Sequence, residues 1–137
     1  MGALDPVAFD IETSGLDRDA VITVAGFTDD LGSWMVLNTG GREADQDCLL
    51  DELRQCVDNP VGLRVVGDEA ALLESVQGYV DDRLSETDYL TAYNGETWNG
   101  GFDLPFLRSA CHRNRVAWPF NDVAYADTME AIQRFDT

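Results

Sequence analysis

Apolar and polar side chains alternate through residues 7–16, "VAFDIETSGL", with Val7, Phe9 and Ile11 in one set and Ala8, Asp10 and Glu12 in the other. A period of two predicts a strand with one apolar face. "SGLDRD" at 14–19 is turn chemistry, and the β-branched run "VITVAGF" at 21–27 predicts a buried second strand. A turn through "TDDLGSW" and a third strand over 34–37 complete an antiparallel meander. After a polar loop at 38–45, Leu49, Leu50, Leu53 and Val57 recur at helical spacing until Asn59-Pro60 stops them. Residues 63–66 form a further short strand. Asp68 is placed to cap the longest helix, over 69–84, with Leu72, Leu73, Val76, Val80 and Leu84 as its stripe and acids opposite. "YLTAY" at 89–93 reads as a strand, 94–101 as a glycine-rich loop, and 102–115 as a second long helix, broken at Trp118-Pro119. The 137 residues hold no internal repeat and no low-complexity linker, and they suffice for one core. A meander followed by alternating helices and strands predicts a single α/β domain over 1–137, its mixed sheet flanked by helices.

The first strand poses a chemical question. Asp10 and Glu12 share a face, and two adjacent, partly buried carboxylates repel each other and lose hydration. No base follows until Arg18, so a hard divalent cation is an economical partner; Mg²⁺ takes oxygen ligands, often one or two carboxylates together with substrate phosphates. A solvent-facing strand with two hydrated acids explains the same decapeptide, and from these residues alone the two readings stand level.

Charge changes the picture next. The chain has 26 acids against nine bases, every base is Arg, and the net charge is −17. Such a protein repels itself, and concentrated salt relieves the repulsion. The composition therefore resembles that of halophilic proteins, adapted to a high-salt cytoplasm. Acidity ordinarily argues against a nucleic-acid partner; as a proteome-wide background it loses that weight. With no run of bilayer length and no cationic leader, a soluble, cytoplasmic protein with no membrane partner is expected. Cys48, Cys56 and Cys111 lack paired spacing, which predicts buried free thiols rather than a disulfide framework or a zinc site.

The second informative stretch is "YNGETWNGGFDLPFLRSAC" at 93–111. Asp103 opens the second long helix, where the helix dipole favours an acid. Capping accounts for Asp103 but not for Asn94, Asn99, the repeated glycines or the surrounding aromatics. Together, "FDIETSGL" and "NGGFDLPFL" resemble the DEDD superfamily of 3′–5′ exonucleases, which have a ribonuclease-H-like fold. The likeness is closest to the proofreading domains of family B DNA polymerases, and it runs from the first strand to near the end of the chain.

The resemblance implies a metal-dependent 3′–5′ exonuclease acting on a single-stranded DNA or RNA 3′ end. Asp10, Glu12 and Asp103 would be its catalytic residues and would hold two ions, Mg²⁺ or Mn²⁺, about 4 Å apart. Thr13 and Leu16 match the positions that pack the terminal sugar and base, and Asn94 or Asn99 would position the scissile end. Phe102 and Arg108 flank Asp103 as further substrate contacts. Trp98 lies where it could stack a base, a contact worth about 1–3 kcal/mol, or tuck into the core as a loop residue.

One part of the family pattern is not written here. The third motif, Tyr-x-x-x-Asp or His-x-x-x-x-Asp, occurs nowhere: His112 has Ala117 at the acid position, and no Tyr has Asp four residues on. "YADTMEAIQRF" at 125–135 matches the segment before that motif, which makes Asp127 a capping or supporting acid. The domain is thus expected to lack its C-terminal helices and be completed by a missing segment or partner protein, or to be a non-catalytic module that binds nucleic acid or protein; substitution by Asp127 or Asp136 in an unusual geometry is the less favoured third explanation. Arg108, His112, Arg113 and Arg115 form the one local basic cluster; phosphate contact and pairing with surplus acids both explain it. Gly40-Gly41 and Gly100-Gly101 make no P-loop, since no Lys-Ser/Thr follows.

Overall fold

The computed structural model describes residues 5–15, 19–84, 88–92 and 103–127. Each run of alternating or β-branched residues becomes a strand, and each run at helical spacing a helix. In chain order these are β1 (Asp5–Thr13), β2 (Ile22–Asp29), β3 (Gly32–Asn38), α1 (Gln46–Cys56), β4 (Val61–Val66), α2 (Glu69–Arg83), β5 (Asp88–Ala92), α3 (Asp103–Asn114) and β6 (Ala124–Asp127). The strands form one sheet in the order β4-β3-β2-β1-β5-β6. The expected meander is present, with β1 antiparallel to β2 and β2 antiparallel to β3. β4 extends it parallel to β3, while β5 lies parallel to β1 and β6 parallel to β5. The chain is therefore an α/β domain built on a mixed sheet flanked by helices.

The core sits on one face of that sheet. Val7, Phe9 and Ile11 are buried there with Ala25, Phe27, Val36 and Leu90. α2 adds Leu72, Leu73, Val76 and Val80, and α3 adds Leu104, Leu107 and Ala110 to the same cluster. Phe27 stacks on Tyr79 with ring centroids 4.2 Å apart, and Phe9 meets the edge of Phe120 at 5.2 Å. Asp68 caps α2, accepting from the Ala71 N–H at 2.8 Å. Asp45 caps α1 through the N–H groups of Asp47 and Cys48.

Three expectations change. Only Cys111 is a buried thiol; Cys48 and Cys56 are exposed on α1, a helix with no buried residue. The acids of α2 do not all face water. Glu69, at its first turn, is 6% exposed, with Oε2 accepting from the Ile22 N–H and Oε1 from Arg113 and Asn114, each at 2.7 Å. Arg113 is accordingly half of an ion pair that ties α3 to α2, and Arg115 lies past the end of α3 with φ 57°. Arg108, His112 and Arg115, which stand at helical spacing in the sequence, therefore do not share one helical face. No helix among the described residues is long and apolar enough to cross a membrane.

Candidate acidic site at the end of β1

Because Phe9 and Ile11 are committed to the core, Asp10 and Glu12 emerge on the opposite face of β1, and both are exposed rather than partly buried as expected. Ala8 and Thr28, paired on that face, are exposed as well. Among the described residues neither carboxylate has a cationic partner. The strand is shaped just beyond them. Its register shifts between Glu12 and Thr13, an irregularity that re-aims side chains near a strand end. The Ser14 N–H bonds to the Val21 carbonyl at 2.9 Å, the Ser14 hydroxyl accepts from the Val21 N–H at 3.0 Å, and the Thr13 hydroxyl donates to the Gly15 carbonyl at 2.7 Å. Thr13 thus serves the turn. Glu69 and Asn38 fix the other side of this turn, the first through the Ile22 N–H and the second by donating to the Ile22 carbonyl at 3.1 Å.

Strand direction decides which other elements begin or finish at the carboxylates' end of the sheet. β1, β5 and β6 run parallel and finish at one end of the sheet, with Ala92 level with Asp127. α3 joins two of these parallel strands, so it runs back against them and begins at that same end. Asp10 and Glu12 lie in the last half of β1, and Asp103 is the first residue of α3. In open α/β sheets the carboxyl ends of parallel strands are where ligands bind. Where the Asp103 carboxylate points lies outside the described residues, as do Leu16, Asn94, Trp98, Asn99 and Phe102. The structure thus brings the backbone of Asp103 to the same end of the sheet as Asp10 and Glu12, but α3 packs on the core face and the two carboxylates project from the other; among the described side chains there is no group of three metal-ligating residues.

Arg108 stands one turn further along α3, exposed, with its guanidinium 4.9 Å from the centroid of the Trp118 ring. That cation–π contact gives it a local structural role. Thr91 is a residue that sequence reasoning passed over. It pairs with Ala8 across β1 and β5 and so faces the side of Asp10, and its buried Oγ1 has no hydrogen-bond partner among the described residues. Register alone places Thr91 there, and register is not readable from "YLTAY". Exposed carboxylate oxygens without cationic partners are hard donors of the kind that Mg²⁺ or Mn²⁺ takes. No protein-family model and no curated protein matches this sequence.

Proposed function

We propose that this protein is a ribonuclease-H-like, metal-dependent exonuclease that removes nucleotides from the 3′ end of single-stranded DNA or RNA. The observation that carries the reading is the pair Asp10 and Glu12. Two carboxylates project from one exposed face of a strand whose other face is core, at the sheet end where α3 begins with Asp103. The order of the central strands supports the fold assignment: an antiparallel β1-β2-β3 meander with β5 and β6 added in parallel beside β1. In this reading α1 and β4 are an addition on the far edge.

Asp10, Glu12 and Asp103 would hold Mg²⁺ or Mn²⁺. Bound there, the metal supplies an acidified water and neutralises charge on a phosphate. The protein's own part is positional. Phe9 and Ile11, locked in the core, fix the strand from which Asp10 and Glu12 project. The Ser14–Val21 turn fixes where that strand stops. Arg108, held against Trp118, provides a cation on the helix that Asp103 opens.

A second reading has its own support. The third carboxylate motif is not written in these residues, which favours a non-catalytic module of the same fold that binds a nucleic-acid end or a partner protein. One assay separates the two: release of nucleotides from 5′-labelled single-stranded DNA and RNA, with Mn²⁺ in concentrated KCl, for wild type and Asp10→Ala. Shortening from the 3′ end that vanishes in the variant is the result expected of the nuclease. Substrate left intact by both proteins, but bound by wild type, would establish the module instead.

A further inference from the structure

The face of the sheet that carries the core is not covered to its edge. α2 packs over β2 and β3 and stops short of β4, leaving a groove in which the Trp34 indole lies half-buried. The Tyr79 ring stacks on it at 4.9 Å with the planes 23° apart. Gly62, opposite Trp34 on β4, lets the indole lie across the strand; a Cβ there would meet Trp34 Cδ1 at 3.2 Å. The groove has two lobes of about 330 Å³ and about 250 Å³, which share Trp34, Tyr79 and Arg83. Clefts of about 300–1,000 Å³ are the size that takes small ligands.

Two further features are unusual for this chain. Arg64 and Arg83 both line the larger lobe, and among the described residues neither forms an ion pair, although acids outnumber bases 26 to nine. Arg83 instead lies 5.7 Å from the centroid of Tyr79. The second feature is Gly78, which sits inside α2 on the wall of the same lobe, where an added Cβ would meet nothing within 4 Å. Glycine within a helix costs about 0.5–1 kcal/mol relative to alanine, and no neighbour requires it here. What the glycine preserves is open space. Glu74 and Asp82 complete the wall with carboxylates that accept from hydroxyl or amino groups.

We infer that this groove is a binding site for a nucleoside monophosphate, a flat ring that packs against the half-buried Trp34–Tyr79 pair with its phosphate on Arg64 and Arg83. Glu74 and Asp82 take the sugar hydroxyls or a ring amino group. The site lies on the opposite face of the sheet from Asp10 and Glu12, and the inference does not rest on the nuclease reading. Adenosine 5′-monophosphate, adenosine and inorganic phosphate, each titrated calorimetrically into the full chain in EDTA, test it.

The monophosphate is expected to bind with a dissociation constant below about 1 mM, with adenosine and phosphate each at least about tenfold weaker. Gly78→Met fills the lobe with a good helix former, so the fold is kept and binding falls at least about tenfold; Arg64→Ala, at an exposed position, does the same. Circular dichroism verifies that both variants are folded. Asp10→Ala retains wild-type affinity, which separates this site from the acidic one. The inference is overturned if the monophosphate shows no saturable binding, if phosphate alone or adenosine alone binds as well, or if Gly78→Met leaves affinity unchanged. Loss of binding in Asp10→Ala would likewise overturn it, by moving the ligand to the other face.

Discussion

Glu69 holds three segments with one carboxylate. It takes the N–H of buried Ile22 on one oxygen and the Arg113 and Asn114 side chains on the other. Glu69→Ala leaves a buried backbone donor without an acceptor and Arg113 without its acid. Arg113 is 40% exposed and recovers part of its solvation from water, so the expected loss is about 2–4 kcal/mol rather than the full cost of orphaning a buried charge. A shift in the denaturant midpoint at constant slope would register it; a change within error would mean that the network is ornamental. Cys111 makes a pH-dependent case. Burial, with a smaller contribution from Glu69, raises its thiol from 9.0 to about 11. The unfolded chain therefore loses this proton near pH 9 and the native protein near pH 11. Between those values the unfolded state binds fewer protons, so a stability contribution fully present below pH 9 is lost as the pH rises through 11, roughly 2–3 kcal/mol in all. Tyr79, also raised chiefly by burial, adds to the same slope, so Cys111→Ala should flatten it without abolishing it. A buried Cys111 thiol was legible beforehand; the role of Glu69 was not. Glu69 sits in sequence among ordinary helix-capping acids, and its partners are 44 to 47 positions away.

The elements were more legible than their partners. Asp68 and the stripe from Leu72 to Val80 specify α2 because a cap and an apolar period are local signals. The β2–β3 hairpin was legible for the same reason: Asp29 accepts from the N–H groups of Leu31 and Gly32, which is turn chemistry written in "TDDLG". That the hairpin is pinned to a distant proline was not. The Ser33 N–H bonds to the Pro60 carbonyl at 2.9 Å, and Gly32 has φ +145°. A Cβ on Gly32 would lie 2.2 Å from the Pro60 oxygen, so Gly32→Ala must push β3 away from the start of β4. The substitution is expected to destabilise the protein by about 1–3 kcal/mol, read from chemical denaturation, whereas Gly40→Ala, in open space at φ +68°, should cost less. Equal losses would show that backbone conformation, not the Pro60 contact, dominates at Gly32. Residues 63–66 were expected as a strand, but alternation does not say which neighbour a strand takes; the parallel pairing of β4 with β3 depends on α1 crossing between them.

At the scale of the whole molecule, one sheet separates two chemistries. The core, α2 and α3 occupy one face, and the exposed carboxylates of β1 occupy the other. Acids outnumber bases throughout, with a net charge of −17, so the thermal midpoint should rise as KCl increases from about 0.1 M to about 2 M, as self-repulsion is screened. A flat or falling midpoint would contradict the salt-adapted reading. The acidic site was half legible. A period of two put Asp10 and Glu12 on one face, and the core residues between them made that face the outer one. Asp103 depended on strand direction, and Thr91 on register, which no local pattern encodes. Whether Asp10 and Glu12 hold a divalent metal is measured directly by electron paramagnetic resonance of Mn²⁺ titrated into the protein. Performed in about 2 M KCl, to screen diffuse attraction to the acidic surface, the wild type should bind Mn²⁺ at least about tenfold more tightly than Asp10→Asn or Glu12→Gln. Indistinguishable titrations for the three proteins would contradict the account and leave the pair as two hydrated acids on an open strand.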